Sequence, residues 1–164
     1  MGYKGQGVLL YMAIYLFMNV GTFACILAMR QQGRMVEGIN DLAGLSKSHP
    51  MMAFALLIFM FSMAGVPPLA GFFGKWFVFL AAIDAGLYTL AILGVMASVV
   101  SAFYYLRIVK IMYFDEAVEP LDSAIPGDLR FVMYVATAVT LLFFLVPSHV
   151  VELANGAAAS LMGG

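Results

Sequence analysis

Long apolar stretches, separated by short polar ones, run along this chain. A helix needs about 20 consecutive apolar residues to cross the hydrocarbon core of a bilayer. The pattern therefore predicts an all-α integral membrane fold, one domain over residues 1–164, with about four transmembrane helices. We place these helices at residues 8–29, 51–84, 87–113 and 131–150.

The second stretch, Met51–Asp84, is too long for one straight crossing. At about 1.5 Å per residue it would make a helix of roughly 50 Å, whereas the hydrocarbon core is about 30 Å thick. Pro67 and Pro68 lie near its middle, and neither can donate a backbone hydrogen bond to the carbonyls of Met63 and Ala64. The pattern predicts a discontinuous helix, broken at Pro67-Pro68.

Glycines surround this predicted break, with Gly65 before the two prolines and Gly71 and Gly74 after them. Unpaired backbone groups persist at membrane depth only where protein or water covers them. Helices interrupted by glycine and proline are also a sequence sign of an ion or substrate path. The break is therefore the first candidate site.

Lys75 follows the break, and the nearest acidic residue along the chain is Asp84. A charge at the bilayer centre costs about 3 kcal/mol and usually faces a bundle interior or water. Burial disfavours the charged form of a lysine, which lets it release and regain a proton. We interpret Lys75 as a candidate catalytic proton relay. In the alternative interpretation the span is Met51–Phe73, Lys75 snorkels and Trp76 lies in the aromatic belt, but Phe77–Ile83 would then lie beyond the membrane.

A second possible polar path lies on the third predicted helix. Ser98, Ser101 and Tyr105 share one helical face with Gly94. Their hydroxyls are suited to a water chain beside the broken helix. Close packing of small residues against a neighbouring helix explains the same pattern, and both interpretations stay open.

Composition excludes several classes of protein. The chain is 64% hydrophobic and 10% charged, whereas soluble domains are about a quarter charged. Proteins that bind nucleic acids carry an excess of basic residues, whereas the net charge of this chain is −1. The single Cys25 and two distant histidines indicate neither a disulfide framework nor a metal site, and no cofactor-binding motif is present.

The basic residues predict an orientation. Lys and Arg concentrate in the connections 30–50 and 107–130, while the turn at Asp84 has none. Cytoplasmic connections carry the excess of positive charge, so we expect both connections in the cytoplasm and both termini on the periplasmic side. The acidic part of the second connection, residues 115–130, is expected to be a solvated loop.

Four segments together resemble a known family. The segment AGVPPLAGFFGKW and the later SAFYYLRIVKIMYF resemble the C-terminal third of the antiporter-like subunits of respiratory complex I. YMAIYLFMNVGTFACILAM and GLSKSHPMMAFAL fit the same pattern. The GKW context, with lysine where one sibling subunit type has glutamate, resembles the N-type subunit of bacterial NADH-quinone oxidoreductase.

The resemblance implies the C-terminal part of an inverted-repeat antiporter-like fold in the bacterial cytoplasmic membrane. It implies a proton-translocating subunit of an NADH:quinone oxidoreductase, with Lys75 as the switchable lysine of one half-channel and Pro67 and Pro68 at the break. Flavin, iron–sulfur clusters and quinone are expected in other subunits and no cofactor in this chain. Expected partners are the other membrane-arm subunits, the lipid bilayer and protons.

Two alternatives remain beside this expectation. The D subunit of Mrp-type sodium/proton antiporters shares the broken-helix lysine, and a structural membrane scaffold needs no relay. Family members also carry a first half-channel with its own lysines and a glutamate, which this sequence lacks. We therefore expect a fragment of a longer subunit or the product of a truncated gene.

Overall fold

The computed structural model describes residues 3–117, 121–122 and 125–145. These residues form six α-helices, one 3-10 helix and a two-stranded antiparallel sheet. In chain order the elements are α1 (Tyr3–Ala28), β1 (Arg30–Gln31), β2 (Arg34–Met35), the 3-10 helix (Ile39–Leu42), α2 (Leu45–Ser48), α3 (Pro50–Ala64), α4 (Ala70–Asp84), α5 (Tyr88–Phe114) and α6 (Gly127–Leu145).

The long helices follow the predicted apolar stretches with shifted ends. The stretch predicted at 51–84 consists of α3 and α4, joined by the non-helical residues 65–69. α6 begins at Gly127, earlier than predicted, and residues 146–150 of the fourth prediction lie outside the described residues. Within the described part, Tyr11–Ala28 and α5 are long and apolar enough to cross a membrane, and α3 is a shorter apolar helix.

α3 is the central helix of the bundle, and it packs against α1, α4, α5 and α6. Phe59 of α3 is fully buried. Met18 of α1, Met112 of α5 and Met133 of α6 belong to the same buried cluster. α1 comes close because of Gly21, where an added Cβ would overlap the Phe59 ring. Lipid tails are as apolar as these side chains, so close packing holds such helices together.

α5 leaves most of its apolar side chains uncovered. In the stretch of α5 that is long and apolar enough to cross a membrane, only 6% of the residues are buried in the structure. A helix that is apolar on all sides lies in a protein core or in a membrane, and α5 gives Val109 and Met112 to the core while most of its apolar side chains stay outside it. Its surface is that of a helix surrounded by lipid or by further helices.

The expectation of an all-α chain needs one correction, because β1 and β2 form a short hairpin. Arg30 pairs with Met35 and Gln31 with Arg34. Between the strands, Gln32 and Gly33 both have positive φ, at 51° and 75°. Two such residues form the tight turn whose twist matches that of a two-stranded hairpin.

Asp122 holds this hairpin from the other polar connection. Its carboxylate accepts hydrogen bonds from the backbone N–H groups of Gln32 and Gly33 at 3.1 and 2.8 Å. Its own N–H donates to the Arg30 carbonyl at 2.7 Å. Both polar connections therefore meet at one end of the bundle. The expectation of a solvated loop at 115–130 is wrong at residues 127–130, because α6 begins at Gly127.

Candidate functional site

α3 ends at a left-handed glycine. Gly65 has φ +84°, and its N–H donates to the Ser62 carbonyl at 3.0 Å. The N–H of Val66 donates to the Phe61 carbonyl, also at 3.0 Å. This pair of bonds is the Schellman arrangement that commonly ends helices at glycine. It leaves the Met63 carbonyl without a helical partner, because residue 67 is proline.

α4 begins against the end of α3. The peptide bond between Pro67 and Pro68 is cis, and Leu69 precedes the first helical residue without a capping side chain. The N–H of Gly71 instead donates to the Ser62 hydroxyl at 2.9 Å. A Cβ on Gly71 would overlap the Ser62 carbonyl oxygen, so the two helix ends touch through backbone.

Lys75 lies at this junction and is half-buried. Its Nζ donates to the Met63 carbonyl at 2.9 Å. Its aliphatic chain passes over Gly65, where an added Cβ would lie 3.3 Å from Lys75 Cδ and 3.6 Å from Nζ. The ammonium group therefore lies beside the C-terminal end of α3, where the helix dipole is negative and favours a cation.

No carboxylate forms an ion pair with Lys75 among the described residues; the ion pair found there joins Lys110 and Asp115 at 3.3 Å. The lysine charge is thus balanced by a carbonyl group and a helix end. Partial charges balance an ammonium group less strongly than a carboxylate does.

Lys75 and its neighbour Trp76 differ in environment. The Trp76 side chain is 52% exposed and stacks on Phe72, with ring centroids 5.9 Å apart. Lys75 instead reaches back across the break to α3. A snorkelling lysine would extend its amine away from the helix break and toward the membrane surface.

The structure gathers some of the predicted site residues and separates others. Gly65, Gly71 and Lys75 meet at the junction, whereas Pro67 and Pro68 are exposed on its outer side. Gly71 and Gly65 both occupy positions where an added Cβ would touch the site. Their spacing around the prolines was the sequence signal that found them.

The hydroxyl residues of α5 differ in their surroundings. Ser101 donates to the Ala97 carbonyl of its own helix at 2.8 Å. Ser98 is half-buried, and Tyr105 packs against the buried cluster. Gly94 lets α5 approach the Phe79 ring of α4, since an added Cβ would lie 2.8 Å from Phe79 Cε1. The hydrogen bonds in the described part of the chain do not join this face to Lys75.

Ser62 is the site residue that sequence reasoning missed. It is fully buried and touches both helix ends through its hydroxyl and its carbonyl. Its only sequence signal was a small polar residue in an apolar helix, three positions before Gly65. That signal is equally typical of ordinary helix packing in membranes.

The described residues do not show the pattern of a metal site. No group of three or more His, Cys, Asp or Glu side chains there is placed to hold a metal ion. Cys25 is a buried free cysteine. The titratable side chain at the junction is the Lys75 amine.

The chain is similar to a family of membrane proteins and to several curated relatives. A family model described as "NADH:quinone oxidoreductase/Mrp antiporter, TM" matches residues 1–101. NADH-quinone oxidoreductase subunit N of Rhodospirillum rubrum is 66% identical over 156 residues, which is 95% of this chain and 32% of that protein. Subunit N of Paramagnetospirillum magneticum is also 66% identical, with the same coverage. The chain spans about a third of the length of these relatives.

A solved structure is similar in fold. A chain of respiratory complex I from Thermus thermophilus with bound Aureothin matches with a TM-score of 0.78 at 30% identity. The match covers 91% of this chain and 34% of that chain. These findings confirm the resemblance drawn from the sequence, and they show a mostly helical, antiporter-like membrane fold.

Proposed function

Because the chain belongs to the NADH:quinone oxidoreductase/Mrp antiporter membrane family, we propose that it is part of subunit N of a bacterial proton-translocating NADH-quinone oxidoreductase. Subunit N relatives match 95% of its length at 66% identity. The chain supplies a membrane half-channel, and the redox chemistry takes place in other subunits. Flavin, iron–sulfur clusters and quinone belong to those subunits.

The contact between Lys75 and Met63 is the observation that supports a proton relay. A protonated amine has three N–H donors and a neutral amine has two, so either form can donate to the Met63 carbonyl at 2.9 Å. The lone pair of the neutral amine then accepts the next proton. Lys75 can therefore change its charge without leaving its place at the junction.

α3 and α4 together make one discontinuous crossing in this proposal. Each has 15 residues. At about 1.5 Å per residue each is roughly 22 Å long, too short to span a core of about 30 Å alone. Joined end to end they span it, and Lys75 then lies inside the membrane. With α1, α5 and α6 the chain crosses four times.

The partners and orientation follow from the same proposal. The uncovered surface of α5 faces lipid or other membrane-arm subunits of the complex. The hairpin end carries most of the basic residues and faces the cytoplasm, so residues 1 and 164 are periplasmic. A cysteine at exposed Gly33 tests this orientation, because it should react only with reagents added from the cytoplasmic side.

Replacement of Lys75 by alanine tests the relay in the assembled enzyme. We expect NADH oxidation to continue while fewer protons are translocated per NADH. Lys47→Ala is the matched control, because Lys47 is an exposed lysine of α2. Translocation by Lys75→Ala equal to that of the Lys47→Ala control would exclude the relay.

The Mrp-type antiporter subunit is a second candidate, since the family description includes it. Identity favours subunit N, because this chain is 51 to 66% identical to subunit N relatives. A sodium dependence distinguishes the two. Translocation that requires sodium ions and continues without NADH would favour the antiporter.

A structural scaffold without a relay makes a different prediction for accessibility. Asp84 is exposed at the end of α4, and Lys75 lies at the junction. Cysteines at positions 75 and 84, in a chain without Cys25, should therefore differ in labelling by a water-soluble thiol reagent. Protection of position 75 alone fits the relay, and equal labelling of both positions fits the scaffold.

A further inference from the structure

Ser62 joins α3 and α4 at two points. Its hydroxyl accepts a hydrogen bond from the Gly71 N–H at 2.9 Å, and its carbonyl oxygen lies against the Gly71 backbone. The residue has 0% exposure. It is thus a buried polar group whose hydroxyl bonds a different helix from its own.

The Ser62 hydroxyl belongs to α3 but acts as the N-cap acceptor of α4. The first N–H groups of a helix lack partners inside it, and a side-chain oxygen at the N-cap normally accepts one of them. Here the N-cap is Leu69, which has no such oxygen, and Gly71 is the second residue of α4. Ser62 provides the missing acceptor. Ser62 is fully buried, so bulk water does not take its place.

Lys75 lies one helical turn beyond this bond. Gly71 and Lys75 are four residues apart on α4, so they lie on the same face, one turn from each other. Ser62 and Met63 are adjacent on α3, and each accepts one of the two bonds at 2.9 Å. Two bonds one turn apart oppose both rotation and sliding of α4 against the end of α3.

We propose that Ser62 is a positioning residue for Lys75: its hydroxyl holds α4 in the register that brings the amine to the Met63 carbonyl. The inference rests on the proposed function, because it assumes that Lys75 carries protons. Loss of one buried hydrogen bond shifts a population by roughly fivefold to tenfold. Relative to other registers, the register with Lys75 on Met63 should therefore lose population by about that factor without the hydroxyl.

Three substitutions of Ser62 separate the hydroxyl from side-chain volume. Ser62→Ala removes the acceptor, Ser62→Cys keeps a similar volume with a weak acceptor, and Ser62→Thr keeps the oxygen. In the assembled enzyme, protons translocated per NADH should fall severalfold in Ser62→Ala and Ser62→Cys and recover toward wild type in Ser62→Thr. Thr137→Val is the control, because it removes a buried hydroxyl that bonds only the Met133 carbonyl of its own helix.

A double-substitution cycle with Lys75→Ala distinguishes this inference from the proposed function. If Ser62 acts through Lys75, Ser62→Ala should lower translocation in the wild-type background and have no effect beside Lys75→Ala. If Lys75→Ala translocated as many protons per NADH as the wild type, the relay itself would be overturned. Suppose instead that Lys75→Ala translocates fewer protons per NADH, and that Ser62→Ala lowers translocation by the same factor in both backgrounds. That result would overturn the positioning role alone.

Assembly is measured in the same membranes, because Ser62→Ala leaves a buried N–H unpaired. The amount of assembled complex and its NADH oxidation rate normalise every translocation value. If Ser62→Ala does not assemble, Ser62→Cys takes its place in the cycle, since it adds no unfilled space. Ser62→Cys translocation equal to wild type would then overturn the proposal.

Discussion

Lys75 Nζ lies 2.9 Å from the carbonyl oxygen of Met63, the residue four positions before Pro67. In a continuous helix that carbonyl would accept the N–H of residue 67, and proline has none. The lysine takes the place of the missing donor. The helix break and the position of the Lys75 amine are therefore one feature, since the break creates the acceptor that holds the amine.

Arginine at position 75 should abolish the relay while keeping the positive charge. A guanidinium group stays protonated at every pH the enzyme meets, so it cannot release its proton. We expect Lys75→Arg to translocate as few protons per NADH as Lys75→Ala. The control is Lys47→Arg at an exposed site. Wild-type translocation by Lys75→Arg would show that a fixed charge suffices.

Alanine at Gly65 should disturb both the backbone and the lysine. Gly65 and Gly86 have similar positive φ values, +84° and +73°, but only at Gly65 would a Cβ touch Lys75. A non-glycine residue in this conformation costs about 1–2 kcal/mol. Gly65→Ala and Gly86→Ala should therefore lower thermal stability by similar amounts.

Only Gly65→Ala should also lower proton translocation, because its new methyl group lies 3.3 Å from Lys75 Cδ. Stability of the purified complex and protons translocated per NADH are measured on both variants. If Gly86→Ala reduced translocation as much as Gly65→Ala, backbone strain would explain both results. The contact with Lys75 would then have no separate effect.

The sequence predicts where the chain leaves α3 because the causes are local. Pro67 and Pro68 lack donors, and glycine at position 65 permits the left-handed end of α3. Each effect depends on a residue and its near neighbours. The helix ends at Ala64 and Ala70 follow from this chemistry to within a few residues.

Contacts between distant segments could not be predicted in the same way. The bond from Gly71 to Ser62 depends on how α4 returns against α3 after the linker. The bonds from Gln32 and Gly33 to Asp122 cross about ninety residues of sequence. The hydrophobic pattern of a sequence does not show which distant oxygen will accept a hydrogen bond from an unpaired N–H group.

The hydroxyl face of α5 shows a related ambiguity. A serine in a helix can bond the carbonyl four residues earlier, and Ser101 does so with Ala97. Helical spacing puts hydroxyls on one face but does not say whether each bonds its own helix or a neighbour. The water path through Ser98, Ser101 and Tyr105 remains a prediction.

Alanine at Gly71 should separate the two helix ends. Its Cβ would overlap the Ser62 carbonyl oxygen, and backbone cannot move aside as a flexible side chain does. Overpacking of this kind typically costs about 1–3 kcal/mol. We expect less assembled complex and a lower melting temperature for Gly71→Ala. Gly127→Ala is the control, since nothing lies within 4 Å of its added Cβ. Equal stability of the two variants would contradict the contact.

Removal of the Asp122 carboxylate should loosen the hairpin without affecting the junction. The turn amides of Gln32 and Gly33 would lose their acceptor, and hydrogen bonds at such an exposed position contribute about 0.5–1.5 kcal/mol. Amide hydrogen exchange at residues 30–35 should become severalfold faster in Asp122→Ala, and exchange at Gly71 should not change. Glu116→Ala is the control, because Glu116 is exposed. Unchanged exchange in Asp122→Ala would show that the two β-strands hold the turn by themselves.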